Sequence, residues 1–398
     1  MVLIILLTLT NCLAKTDYIV KVSNPTKFQT NSNFKEHLLG PFFKLSAKNL
    51  NETEDSQFLI IEENFEFSIK EDMTDWQWAM DNRGNNEPRR GGGRFPVPGV
   101  IGADLNITPA WERGITGSKE VVIAIIDTGV DYKHEDLKEN ILINEIEQNG
   151  TPGIDDDGNG FVDDIYGYNF SNSSSDPMDD NKHGTHVAGI IGAAHNQRGI
   201  NGVMKHVSLL PVKFMDKKGR GDLAGAIKAV NYAIERGAKV LNNSWGALKK
   251  SEILQEIIER ANEKGVIFVA AAGNNYANND INPRYPANHK SDNLISVAAI
   301  NPENRLTGFS CYGPKTVHVS APGRNIISTT PKNNYKVLSG TSMAAPYVTG
   351  AIGLLLSREP HLTPLEIRER LIRTSTPVEH LIGKIASEGR INVSSFLE

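Results

Sequence analysis

The sequence predicts an α/β fold: a mostly parallel sheet with helices on both faces, preceded by a small α+β unit. Three observations carry this. A continuously apolar run of strand length stands at 121–126 (VVIAII), and similar, largely apolar stretches recur at 207–214, 239–241, 266–270 and 294–298. Such runs mark strands buried on both faces. Helical periodicity alternates with them, with Leu223, Ile227, Val230 and Ile234 on one stripe and Leu254, Ile257, Ile258 and Ala261 on another. That alternation favours a parallel sheet covered on both sides. Of 398 residues, 39% are hydrophobic and 22% charged, enough for a large core and inconsistent with global disorder.

Residues 1–14 (MVLIILLTLTNCLA) are apolar but too short for a comfortable membrane span. They read as the core of an export signal spanning 1–16, although no Lys or Arg precedes the run. Leu9-Thr10-Asn11-Cys12 loosely resembles a bacterial lipobox, which would put a lipid on Cys12; otherwise the signal is ordinary and its cysteine is discarded. A secreted or cell-envelope location is expected. Residues 17–70 form a separate block with strands at 18–22, 58–61 and 65–69, the last alternating with period two. A Gly/Pro/Arg-rich connector, 87–99 (EPRRGGGRFPVPG), is either a surface loop or a processing site. Near the C-terminus, Thr363-Pro364-Leu365-Glu366 is a capping box with Pro at the first helical position.

Charge excludes one class of partner. With 42 basic against 47 acidic residues there is no cationic excess for a polyanion, so nucleic acid is not expected to bind. Two cysteines, Cys12 and Cys311, rule out a disulfide framework, and Cys311 reads as a packed core residue.

Chemistry concentrates in four stretches. The 121–126 run ends in Asp127-Thr128-Gly129, at the carboxyl end of a strand, where open parallel sheets place functional groups. A structural cap is the plainer reading of that Asp alone. His183-Gly184-Thr185-His186-Val187-Ala188-Gly189 opens a helix of small residues; a metal pair on it would want i, i+4 spacing with a Glu between, and neither is present. Gly340-Thr341-Ser342-Met343-Ala344-Ala345-Pro346 sets Ser342 at a helix N-terminus. Free N–H groups there stabilise an oxyanion, though a serine N-cap is the simpler reading in isolation. The run 269–273 (VAAAG) brings Asn274 to a sheet edge. Asp, His and Ser in this order are the parts of a nucleophilic triad.

These motifs resemble those of the subtilisin-like serine peptidases (subtilases), and the resemblance runs from Gln77 to the C-terminus. It implies a subtilisin-like three-layer catalytic domain over 71–398, with residues 17–70 as an inhibitory propeptide that also templates folding. Gln77-Trp78 resembles a mature N-terminal segment, with maturation between Ile69 and Asp72 or in the connector. It also implies a monomeric endopeptidase acting on proteins or peptides. Ser342 is then the nucleophile, His183 the general base, Asp127 its orienting acid and Asn274 the oxyanion-hole amide. His186 packs under its helix. Ser244, Trp245 and Gly246 pair with extended substrate. Arg284, before Tyr285-Pro286, lies near the primary specificity pocket. Pointing inward it favours acidic or polar P1 side chains; pointing outward it leaves P1 broad.

Calcium is the implied cofactor. The family's loop site maps onto Asp136, Asn196 and the carbonyls of Ala194, Arg198 and Ile200, with Asp72 as a candidate N-terminal ligand. A second acidic turn offers Asp155, Asp157 and Asn159, and 176–180 (DPMDD) is a third, sparser cluster. Two other readings stand beside the peptidase. An inactive peptide-binding homologue would lack triad members, and all are present. A non-peptidase serine hydrolase would carry Gly-x-Ser-x-Gly, whereas Ala344 replaces the second glycine.

Overall fold

The computed structural model describes residues 73–84 and 99–398, and the backbone of four strands ahead of them. The export segment with Cys12, the strand read at 65–69, the stretch 69–72 and the connector up to residue 98 lie outside the described residues. The chain falls into two compact units, Met1–Ser68 and Ile69–Glu398. In the first, β1 (Asp17–Val22), β2 (Glu36–Leu39), β3 (Phe42–Ser46) and β4 (Phe58–Glu63) form an antiparallel sheet in the order β2-β3-β1-β4. The sequence reading anticipates β1 and β4; β2 and β3 are additions.

The second unit is built on a nine-stranded sheet in the order β14-β15-β11-β10-β9-β8-β5-β7-β6. Its strands are β5 (Gly117–Asp127), β6 (Tyr168–Asn169), β7 (His206–Lys213), β8 (Val240–Asn243), β9 (Ile267–Ala271), β10 (Leu294–Ile300), β11 (Val319–Pro322), β14 (Thr376–Pro377) and β15 (Gly389–Arg390). All neighbours are parallel except β14 and β15. Side chains alternate between two cores. Along β5, Ile123 and Ile125 enter one and Ala124 and Ile126 the other; along β9, Val269 enters the first and Phe268 and Ala270 the second. This two-sided burial is why the strands read as unbroken apolar runs.

Helices close each core. On one face lie α1 (His183–Gly192), α4 (Thr341–Leu356) and α5 (Pro364–Thr374); on the other lie α2 (Leu223–Glu235) and α3 (Glu252–Glu263). Asp222 and Ser251 cap α2 and α3, and the capping box at Thr363 and Glu366 is formed. Helix α4 is buried along its whole length, in keeping with its apolar character all round. The stripe expected on α2 needs correction. Leu223 is 44% exposed, and the buried face is made by Gly225, Ala226, Ala229, Val230, Ala233 and Ile234. A hairpin of β12 (Ile326–Thr330) and β13 (Asn334–Leu338) lies outside the main sheet.

The topology fixes where chemistry can occur. Strands β9, β8 and β5 are adjacent and parallel, so Ala271, Asn243 and Asp127 end at one edge. Among the described residues no helix is long and apolar enough to cross a membrane.

Candidate active site

Strand β5 delivers Asp127, a carboxylate with no exposed surface. Thr128 N–H donates to its Oδ1 at 2.7 Å, and His183 Nδ1 donates to Oδ1 and Oδ2 at 2.8 and 2.9 Å. A buried carboxylate is tolerated only with such donors. His183 opens α1 and keeps 27% of its side chain exposed. Burial pulls its pKa down, but the Asp127 charge and hydrogen bond raise it more, so the imidazolium persists above the ordinary 6.5. With Nδ1 engaged, Nε2 is the nitrogen left for a reacting group.

The approach of α1 to β5 is held from several sides. Gly184 lies against the Gly129 carbonyl, where any Cβ would collide. Asp179, in the 176–180 stretch read as an acidic cluster, is buried. Its Oδ1 accepts from Thr128 Oγ1 at 3.0 Å, Asn181 N–H at 2.8 Å and Lys182 N–H at 3.0 Å; its Oδ2 accepts from Thr185 N–H at 3.0 Å and Thr185 Oγ1 at 2.6 Å. One carboxylate therefore ties the residue after Asp127 to the first turn of α1, where a negative charge suits the helix dipole. Buried Lys213, level with Asp127 on β7, bonds the Thr128 carbonyl at 2.5 Å and Asp180 at 2.7 Å. Sequence reading missed Asp179, Asp180 and Lys213 as supports; a carboxylate's acceptor geometry carries no sequence pattern. His186 lies under α1. Its Nε2 contacts the carbonyls of Ile326 and Lys336 at 3.1 and 2.9 Å, and burial drives its pKa down to about 3.

Ser342 sits in the first turn of α4, and Pro346 follows four residues later. Proline has no N–H, so the Ser342 carbonyl loses its helical partner. Ser244 Oγ fills the vacancy, donating to that carbonyl at 2.9 Å, while Ser342 Oγ donates to the Ser244 carbonyl at 3.1 Å. Asn242 Nδ2 in turn donates to Ser244 Oγ at 3.0 Å. The end of β8 and the start of α4 are thus doubly joined. Asn274 Oδ1 accepts from Thr341 N–H at 2.8 Å and Thr341 Oγ1 at 3.0 Å. That fixes the amide at the helix N-terminus and leaves its Nδ2 as the unused donor among the described residues.

Beside this edge runs a cleft of about 820 Å³, lined among others by His183, Ser244, Trp245 and Gly246. The N–H groups of Trp245 and Gly246 make no hydrogen bond among the described residues, which leaves an open backbone edge. Arg284 is half-buried against the Gly273 turn, and its Nε donates to Asn275 Oδ1 at 3.1 Å. It does not line this cleft.

The residues expected to hold calcium come together around Asp136, which is fully buried. Its carboxylate accepts from Asn196 Nδ2 at 3.1 Å, Ile200 N–H at 3.1 Å and Tyr335 OH at 2.7 Å. Asn196 N–H bonds the Ala194 carbonyl, and Asn196 Oδ1 accepts Arg198 N–H at 3.0 Å. Three hydrogen-bond donors thus face the Asp136 carboxylate, and a hard cation there would need the Asn196 amide to turn its Oδ1 inward. In the acidic turn, the carboxylates that gather within 4.8 Å of one another are Glu147, Asp157 and Asp164. Asp155 instead receives Asn159 N–H at 3.0 Å and Gly160 N–H at 2.8 Å, and Asn159 donates to Asp157 and Asp164. Arg236 offsets part of the charge, 3.3 Å from Asp157. Glu147 and Asp164 are too far apart in sequence to be read as one loop.

The model described as the Subtilase family matches residues 118–389. Subtilisin-like protease 1 of Plasmodium vivax is 39% identical over 289 residues, covering 68% of this chain and 46% of that protein. Its namesake in Plasmodium berghei (strain Anka) is 38% identical over 312 residues, 73% of this chain and 52% of that protein. Minor extracellular protease Epr of Bacillus subtilis (strain 168) is 33% identical over 318 residues, 80% of this chain and 43% of that protein. The chain thus spans about half the length of these relatives.

The raised pKa of His183 has a direct test. In NMR titration its ring should titrate above 6.5, because the Asp127 charge favours the imidazolium. In Asp127→Asn burial is opposed only by the weaker Asp179 charge, and the midpoint should fall. A midpoint that does not move would show that the pair is not electrostatically coupled.

Proposed function

The chain belongs to the subtilase family, and from that we propose that it is a serine endopeptidase acting through an acyl-enzyme on Ser342. The observation that carries this is the buried Asp127–His183 pair, at the same sheet edge as a serine anchored by the end of β8. The Ser342 hydroxyl rotates from the Ser244 carbonyl toward His183 Nε2, which takes its proton as Oγ attacks the scissile carbonyl. His183 then passes that proton to the leaving amine. Water repeats the sequence on the acyl-enzyme. Asp127 orients the ring and stabilises the imidazolium throughout.

The tetrahedral oxyanion faces Asn274 Nδ2 and the N-terminus of α4. The open N–H groups of Trp245 and Gly246 support binding of extended peptide by strand addition. Arg284, held to Asn275 in an exposed hydrogen bond and absent from the cleft lining, supports the outward arrangement and a broad P1 preference. Residues 17–70 act as the propeptide of an exported, self-processing precursor, and the mature enzyme is a monomer. Calcium serves structurally: bound at Asp136 and Asn196 it pins the 194–200 loop, and at Glu147, Asp157 and Asp164 it neutralises the acidic turn.

Three measurements test this reading. A fluorophosphonate probe should label the protein once, with loss of labelling in Ser342→Ala, and Asn274→Ala should lower kcat on casein by about 10²–10³, the loss measured for this donor in subtilisin itself. Casein turnover by Ser342→Ala at close to the unsubstituted rate would end the proposal. Strong chelation should lower Tm; an unchanged Tm would remove calcium from the account.

A further inference from the structure

The cleft beside His183 has an apolar floor and a cationic rim. Phe214, Met215, Trp245 and Leu254 line the floor, with Phe214 and Trp245 edge to face at 5.0 Å. Lys218 and Arg220 stand on the wall made by the turn before α2; Lys249 and Lys250 stand on the wall that follows Ser244. Among the described residues Asp222 is the single acid lining the cleft, and its Oδ1 is committed to Gly225 N–H at 2.7 Å as the N-cap of α2. Arg220 is paired with Asp216 at 3.3 Å and Lys250 with Glu252 at 2.7 Å. Lys218 and Lys249 have no carboxylate within ion-pair reach among the described residues. This concentration of positive charge occurs in a chain whose formal net charge is −5, so it is not the surface average.

Resting on the peptidase reading, we propose that this cleft selects peptides that place an acidic side chain next to a bulky apolar one, on one side of the scissile bond. The two wants are physically separate. The floor takes an apolar side chain out of water. The ammonium groups of Lys218 and Lys249, which line the cleft from two different segments, favour a carboxylate carried by the adjacent residue. That residue points to the other side of an extended strand and so toward the rim. A low-dielectric groove lined by one sign of charge concentrates that preference and repels a lysine at the same position.

The test uses matched fluorogenic peptides sharing one cleavable core, with Glu, Gln or Lys scanned through the positions on each side. At one or two adjacent positions kcat/KM should favour Glu over Lys by about tenfold at low salt, and the ratio should shrink at high salt. In the double variant Lys218→Glu, Lys249→Glu the Glu-to-Lys ratio should invert. Because a ratio is read, a change in overall activity cancels. Equal ratios at every position, or a preference unmoved by the double variant, would overturn the proposal. Binding of the same peptides to Ser342→Ala, read by anisotropy, separates the two claims. A Glu-over-Lys difference there supports the cleft's selectivity even without turnover, and its absence counts against it.

Discussion

A carboxylate with no solvent access must be answered by donors or by charge, and Asp127 is answered by both. Most of the surrounding architecture makes that contact possible. Strand β5 has to end at Asp127, α1 has to begin at His183, and Gly184 has to be bare for the two to approach. Asp179 then holds the Thr128 side chain and Lys213 its carbonyl. None of these supports touches a reacting atom, yet each constrains the angle at which the imidazole meets the acid. Such over-determination is what a preorganised site requires.

The serine is positioned by a different device. A proline inside a helix ordinarily costs about 3 kcal/mol because a hydrogen bond is lost. Here the freed carbonyl belongs to Ser342 itself, and Ser244 occupies it. The local defect thereby becomes a joint between α4 and β8. It also links Ser342 to the backbone edge formed by Trp245 and Gly246, so in the proposed mechanism attack geometry and substrate register share one anchor.

Much of this was legible in the sequence. Asp127, His183, Ser342 and Asn274 stand out because each ends a buried strand or opens a helix among small residues. What escaped has consistent physical reasons. The β12–β13 hairpin is obscured because Ser328 and Thr329 are buried polar residues, bonded to the carbonyls of His186 and Thr185, and so break the apolar pattern. On α2 the stripe holds at Val230 and Ile234 but not at Leu223 and Ile227, because Gly225, Ala226, Ala229 and Ala233, with Tyr232, complete the buried face instead. Glu147, Asp157 and Asp164 meet only through the fold, as do the cations on the two walls of the cleft. Burial pattern and turn chemistry are local signals; acceptor networks and charge clusters are not.

The claim at the centre is that Asp127, His183 and Ser342 work as one unit. Residual kcat for Ser342→Ala, His183→Ala and their combination tests it most directly. If the residues act together, the double variant should retain about the same residual activity as either single variant. Losses that multiply, each substitution lowering the rate independently, would contradict the account.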